Sequence, residues 1–260
     1  MSPRDLCAVE LCCRRLRSAV RDYIRGLPTS AADLQRRGCS SDGDYHLRWA
    51  AAPGKSVPVG VYCHGMGRSE PKEYLRVRAG PWDNYSFFRS GGTATGTDVT
   101  TVFEMVRIRM PGGPGEPPVV VCADFTFSRS SGGVVLMGGA GGRTTVEHAV
   151  YGVAQNSAGE PTSHAGVDLR GTPFAAMCDF EAFGNAPVGQ ATVTHARQVV
   201  KLEGGGYRGG CGPPGAGEAL RLAGGGRAED AWAAHPQTIP LKLRDSADLD
   251  AVGKSSSWSD

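Results

Sequence analysis

Between Leu6 and Ile24 the apolar residues Leu6, Val9, Cys13, Leu16, Val20 and Ile24 recur at spacings of three and four, which predicts one amphipathic helix closed by Pro28. Residues 1–27 read as a helical arm. From residue 44 the period changes to short alternating or β-branched runs separated by clusters of Gly, Pro, Asp and Ser, the pattern of many short strands. The runs are 44–49, 59–63, 73–77, 101–110, 119–128, 133–137, 148–154, 166–169, 174–178, 190–194 and 198–202. They predict a mainly β fold, an antiparallel β-sandwich or a barrel-like single domain over residues 28–212. Beyond Cys211 the chain is rich in Gly, Ala and Ser and has little hydrophobic period. Residues 213–260 therefore read as a low-complexity, mostly disordered tail.

Composition narrows this picture. Gly 38 and Pro 17 make up about a fifth of the 260 residues, and aromatics only 7%, so the expected core is modest and the loops are many. A net charge of +2 supplies no large single-sign field that would pull the chain onto nucleic acid or an anionic membrane. No window approaches 18 uninterrupted apolar residues, so no transmembrane segment is expected. The first twenty residues are interrupted by Asp5, Glu10 and Arg14 to Arg17 and lack the apolar stretch of a secretory signal.

Catalytic and metal signatures are sparse. Among the eight cysteines and six histidines there is no CxxC pair and no HxxxH, so neither a zinc site nor any other cofactor is expected. Glu147-His148 is the only Glu-His dipeptide, and it lacks the flanking histidine of an HExxH helix. There is no GxSxG elbow. Cys63 and His64 are neighbours whose side chains alternate to opposite faces on a continuous strand, a poor arrangement for a dyad. The glycine runs at 138–142 and 224–226 are not followed by the Lys-Ser/Thr pair of a phosphate loop and read as flexible loops.

The stretch 31–66, AADLQRRGCSSDGDYHLRWAAAPGKSVPVGVYCHGM, places a short helix, an Asp-Gly-x-Tyr-x-Leu strand and an apolar strand ending in Tyr-Cys-x-x-Met in that order. It resembles the start of both the fibrinogen-like domains and the GON domain. The continuation PKEYLRV and DNYS (71–77 and 83–86) resembles the GON pattern and lacks the Gly-Trp strand of the fibrinogen-like domains. VFEMVRIRM, ADFTFSRSSG, YGVAQNSAG, GVDLRGTPF and VVKLEGGGYRGGCG follow in family order, so the resemblance extends over about 28–212. The chain departs from the family at Ala31, where a cysteine is usual, and in its smaller cysteine complement.

The GON domain is the non-catalytic module that ends certain ADAMTS-type zinc metalloproteases. The resemblance implies an ancillary binding module in the extracellular or secretory setting, with a protein or extracellular-matrix ligand and no catalysis by its own residues. Two alternatives stand beside it: a fragment of a zinc metalloendopeptidase whose catalytic region lies outside this chain, and a fibrinogen-like lectin-type domain. Without a recognisable signal at Met1, a cytoplasmic setting is also open. Cys39, Cys63, Cys178 and Cys211 are the disulfide candidates. A Cys39–Cys63 bridge would close a loop of roughly 24 residues and contribute about 3 kcal/mol; the alternative is two buried free thiols. Asn84-Tyr85-Ser86 is an N-glycosylation sequon. Arg76, Trp82 and Tyr85, loop aromatics beside an arginine, are the candidate contact residues. Phe87 and Phe88 are read either as further contacts or as core.

Overall fold

The computed structural model describes residues 3–52, 55–78, 80, 82–92, 94–113, 116–137, 143–157, 163–217, 226–228, 232 and 237–244. The glycine run 138–142, the first two residues of 224–226 and most of the expected tail lie outside them. The chain divides into two compact units, one formed by Met1–Tyr74 with Met110–Glu116 and the other by Leu75–Arg109 with Pro117–Asp260.

The first unit opens with α1 (Pro3–Gly26), the expected helical arm. Its last turn is fixed by two arginines: Arg48 Nη1 donates to the Arg25 carbonyl at 3.0 Å and Arg37 Nη1 to the Gly26 carbonyl at 2.7 Å. These bonds satisfy carbonyls that a helix end leaves without partners. Helix α2 (Ala31–Arg36) is capped by Ser30, whose hydroxyl accepts from Asp33 N, while the Asp33 carboxylate accepts from Thr29 N at 3.0 Å. This reciprocal cap starts the helix where the sequence places it. Strands β1 (Gly43–Ala52) and β2 (Lys55–His64) pair antiparallel from Gly43↔Cys63 to Trp49↔Val57. Strand β3 (Lys72–Arg76) adds to β2 at Tyr62↔Tyr74. Alternation buries Leu47 and Trp49 on β1 and Val59, Val61 and Cys63 on β2, and Ala31 and Leu34 of α2 are buried as well. Each such large apolar side chain contributes about 1.5–3 kcal/mol.

The second unit holds β4 (Tyr85–Arg89), β5 (Thr95–Phe103), β6 (Met105–Arg109), β7 (Val119–Val121), β8 (Ser128–Met137), β9 (Arg143–Val146), β10 (Ala154–Asn156) and β11 (Ser163–Asp168). It continues through β12 (Phe174–Ala176), β13 (Glu181–Thr194), β14 (Val199–Gly212), β15 (Gly226–Arg227) and β16 (Thr238–Leu243). A nine-stranded sheet runs β10-β14-β11-β4-β5-β8-β9-β15, with β13 also on β14; strands β6-β7-β16-β12 pair in a second, smaller set. The fold is mainly β, as the alternation predicts, and nearly every pairing is antiparallel.

Three expected runs are divided. The run 101–110 breaks at Glu104, whose N–H donates to Phe127 O and whose carboxylate meets Arg129 at 2.5 Å; a charged residue that turns outward ends β5 there. The run 119–128 ends its first strand at Val121, and Cys122 to Phe127 form the turn into β8. The run 148–154 is largely a buried turn, because Gly152 sits at φ +68° and Tyr151 N donates to Cys122 O at 3.1 Å. A Cβ on Gly152 would come within 2.8 Å of Ile239 and 3.2 Å of Val167, so Gly152 lies where β16 and β11 approach each other. Inside the expected tail, Ile239 and Leu241 of β16 and Trp232 are buried.

The β13–β14 hairpin turns through His195, Ala196 and Arg197, three consecutive residues in the left-handed region at φ 52°, 50° and 64°. Each costs about 1–2 kcal/mol. The turn is held by its own side chains: Arg197 donates to the carbonyls of Ala176 and Cys178, and Gln198 Nε2 to those of Leu169, Thr172 and Phe174.

Strand β14 is glycine-rich because neighbouring backbone crowds it. A Cβ on Gly210 would stand 2.1 Å from the Ala154 carbonyl oxygen, whereas one on Gly133 of β8 would meet nothing within 4 Å. Gly210→Ala is expected to lower stability by about 2 kcal/mol or more, and Gly133→Ala to stay within about 0.5 kcal/mol of the parent. Urea unfolding of the two variants checks this; equal effects would contradict the crowding argument.

Candidate binding surface

Asn84, which leads into β4, is fully buried. Its Nδ2 donates to the carbonyls of Arg78 at 3.2 Å and Asp168 at 3.0 Å; its Oδ1 accepts from Tyr151 Oη at 2.7 Å and Asp168 N at 2.9 Å. These four bonds use the whole capacity of the amide. The Asn84 carbonyl also accepts from Phe103 N at 2.9 Å. The sequon reading is therefore corrected: a glycan on Nδ2 needs that nitrogen in solvent, and here it is a dry crosslink between the 78–84 loop and the end of β11. Burial raises the Tyr151 hydroxyl well above the ordinary tyrosine range, so it stays a proton donor.

Asp168 is itself buried. Burial pushes its carboxyl up, but the Arg170 side chain and backbone N–H together outweigh that and hold it below the ordinary value. Arg170 Nη2 lies 2.5 Å from Oδ2, and Nε lies 3.0 Å from each oxygen. A paired, hydrogen-bonded carboxylate of this kind keeps its charge inside the fold.

Strand register builds the outer face of the sheet from this anchor. Ser131, Thr100 and Phe87 lie side by side on β8, β5 and β4, and His164, Glu203 and Gln190 on β11, β14 and β13. The next row runs Arg129, Val102, Tyr85, Gly166, Lys201 and Thr192. Phe87 stacks on His164 with ring centroids 5.5 Å apart, and Gln190 Nε2 donates to Glu203 at 2.8 Å. Gly166 leaves a notch in the second row. A Cβ there would come within 2.9 Å of the Tyr85 ring and 3.1 Å of Lys201 Nζ, so the lysine crosses β11 over a bare backbone. It lies 5.7 Å above the centre of the Tyr85 ring, within cation–π range, and donates to the Trp82 carbonyl.

Trp82 is 65% exposed, yet its ring meets Tyr85 edge-on at 5.3 Å. The structure brings Trp82 and Tyr85 together, with Tyr85 as the buried base and Trp82 as the exposed plate. Arg76 is exposed at the end of β3. Phe88 is core and Phe87 faces outward. Sequence reasoning did not single out Lys201, Glu203 or Gln190. The polar-apolar-polar order Lys201-Leu202-Glu203 signals an outward face, but only strand pairing sets it beside Tyr85.

In the first unit, Asp42 closes the loop after β2. Its Oδ1 accepts from Met66 N at 2.7 Å and its Oδ2 lies 2.8 Å from His64 Nδ1. Backbone N–H groups of Met66 and Gly65 hold the Asp42 carboxyl below its ordinary value. His64 thus faces Asp42 and meets Tyr74 edge-on. Cys39, Cys63, Cys178 and Cys211 are all free thiols, Cys63 and Cys211 buried and Cys39 and Cys178 half-buried. Burial, with Glu73 and Asp42 adding to it, pushes Cys63 up to about 12, and burial raises Cys211 to about 11. Both are neutral at pH 7 and weak nucleophiles in that form. Among the described residues no group of three or more His, Cys, Asp or Glu is arranged to hold a metal ion.

Removing the Asn84 amide strands three buried polar groups and the part-buried Arg78 carbonyl at once. Asn84→Ala is expected to cost about 3 kcal/mol in urea unfolding. A loss below about 0.5 kcal/mol would mean that the amide is not a structural crosslink.

Comparison with known families adds one match: residues 28–95 match the model described as GON domain. No curated protein and no solved structure matches the chain. The matched segment runs from Pro28 through α2 and β1 to β4 and includes Asp42, Cys63, Arg76, Trp82, Asn84 and Tyr85. It is the first part of the longer resemblance read in the sequence. What the comparison shows is thus a segment, residues 28–95, that matches the GON domain model.

Proposed function

We propose that this chain is a non-catalytic binding module, of the ancillary kind associated with ADAMTS-type zinc metalloendopeptidases, that recognises a protein ligand through the outer face of the nine-stranded sheet. In the setting that the GON resemblance implies, the ligand is an extracellular-matrix protein. The observation that carries the reading is Trp82, a largely exposed aromatic plate whose loop is fixed by Lys201, Tyr85 and Asn84. A rigid exposed tryptophan loses little freedom on binding and buries a large area, the features of an interface hot spot. The neighbouring Phe87–His164 stack and the Glu203–Gln190 pair add apolar and polar contact beside it. The neutral Cys63 thiol and the Asp42-bound His64 agree with a module that performs no turnover.

Solid-phase binding of the full chain to immobilised decellularised matrix tests this. Trp82→Ala is expected to weaken binding by about 2 kcal/mol, roughly thirtyfold, with stability within about 0.5 kcal/mol of the parent. Casein is expected to remain uncut with or without a chelator. Unchanged binding by the variant, or chelator-sensitive cleavage, would sink the proposal.

A further inference from the structure

Helix α1 of the first unit presents a second surface. Over its last turns Cys13, Leu16, Val20, Tyr23 and Ile24 fall within about 100° of one another on a 3.6-residue helix. Leu16 is 65%, Val20 49% and Tyr23 61% exposed. The same stretch carries Arg14, Arg15, Arg17, Arg21 and Arg25 against the single acid Asp22, which Arg25 approaches at 3.8 Å. Five arginines less one aspartate leave a local charge of +4, twice the net charge of +2 of the whole chain. Arg17 borders the apolar stripe on the Ile24 side, and Arg21, Arg14 and Arg25 follow it around the helix. The helix is too charged to cross a bilayer: among the described residues no helix is long and apolar enough.

We infer that α1 is an interfacial helix that seats its Leu16–Val20–Tyr23 stripe in an anionic phospholipid surface. An apolar stripe flanked by arginines has the composition of helices that lie in the headgroup plane, where the stripe enters the acyl boundary and the guanidinium groups reach phosphates. Charge complementarity selects this occupant over a second copy of the chain. Two α1 stripes packed together would set two +4 helices side by side, whereas an anionic surface neutralises them. The anchored last turn, held by Arg48 and Arg37, ties the helix to the rest of its unit, so contact at α1 would recruit that unit.

Co-sedimentation of the full chain with vesicles of phosphatidylcholine alone and of phosphatidylcholine with phosphatidylserine at ~2:1 tests the inference. Binding to the mixed vesicles is expected to exceed binding to phosphatidylcholine by about tenfold or more and to fall as salt rises. The double variants Leu16→Ser/Val20→Ser and Arg17→Glu/Arg21→Glu are each expected to lower it by about tenfold, with circular dichroism and melting temperature preserved because these side chains are exposed. Absence of binding, equal binding to both vesicles, or undiminished binding by either variant would overturn the inference. So would light scattering showing a wild-type dimer that Leu16→Ser/Val20→Ser converts to monomer, since a second copy would then cover the stripe.

Discussion

A single buried carboxamide organises the face on which the proposed function rests. Asn84 lies where water cannot reach it, so each of its four amide bonds is made against partners that would otherwise be desolvated without compensation. Those partners belong to the 78–84 loop, to the end of β11 and to the buried turn at Tyr151. A main-chain bond from Phe103 adds β5. The order of strands β11, β4 and β5 and the path of the loop that displays Trp82 therefore meet at one side chain. Because a buried polar group is costly when unpaired, the arrangement is all-or-none.

From that anchor the surface follows by register. Once Tyr85 lies opposite Gly166 and Gly166 opposite Lys201, the lysine has a clear path across the sheet to the Tyr85 ring and the Trp82 carbonyl. The β14 strand that carries Lys201 is in turn held by a hairpin whose left-handed turn is stabilised by bonds that Arg197 and Gln198 donate to the 169–178 segment. Strain at the turn and crowding at the glycines of β14 act on the same strand. Its geometry is thus fixed at both ends by contacts that have little tolerance.

Much of this fold was legible in the sequence. The three-and-four spacing of α1 marks a helix, the strict alternation along β1 and β2 reports solvent on one side and core on the other, and these elements lie where the pattern puts them. Legibility failed where burial removes the period. The run 148–154 is apolar because it is a buried turn, not because it is a strand, and only the positive φ of Gly152 distinguishes the two. The short alternation of β16 was obscured by its Gly/Ala-rich surroundings. The candidate surface was half legible: Trp82 and Tyr85 are close in sequence, but Lys201 is 119 residues from Trp82. Asn84 was misread for the same reason. Its sequon is local, while Tyr151 and Asp168 lie 67 and 84 residues away, and no local motif reports such partners.

The most direct test is therefore chemical, at Asn84 itself. The full chain can be secreted from a mammalian cell line behind an added signal sequence, and glycan occupancy of the Asn84-Tyr85-Ser86 sequon read by mass spectrometry on the folded, monodisperse fraction. A buried crosslinking amide predicts that Asn84 in that fraction is unmodified. Full occupancy of Asn84 in protein that melts cooperatively would place its side chain in solvent and contradict the anchor on which the binding face depends.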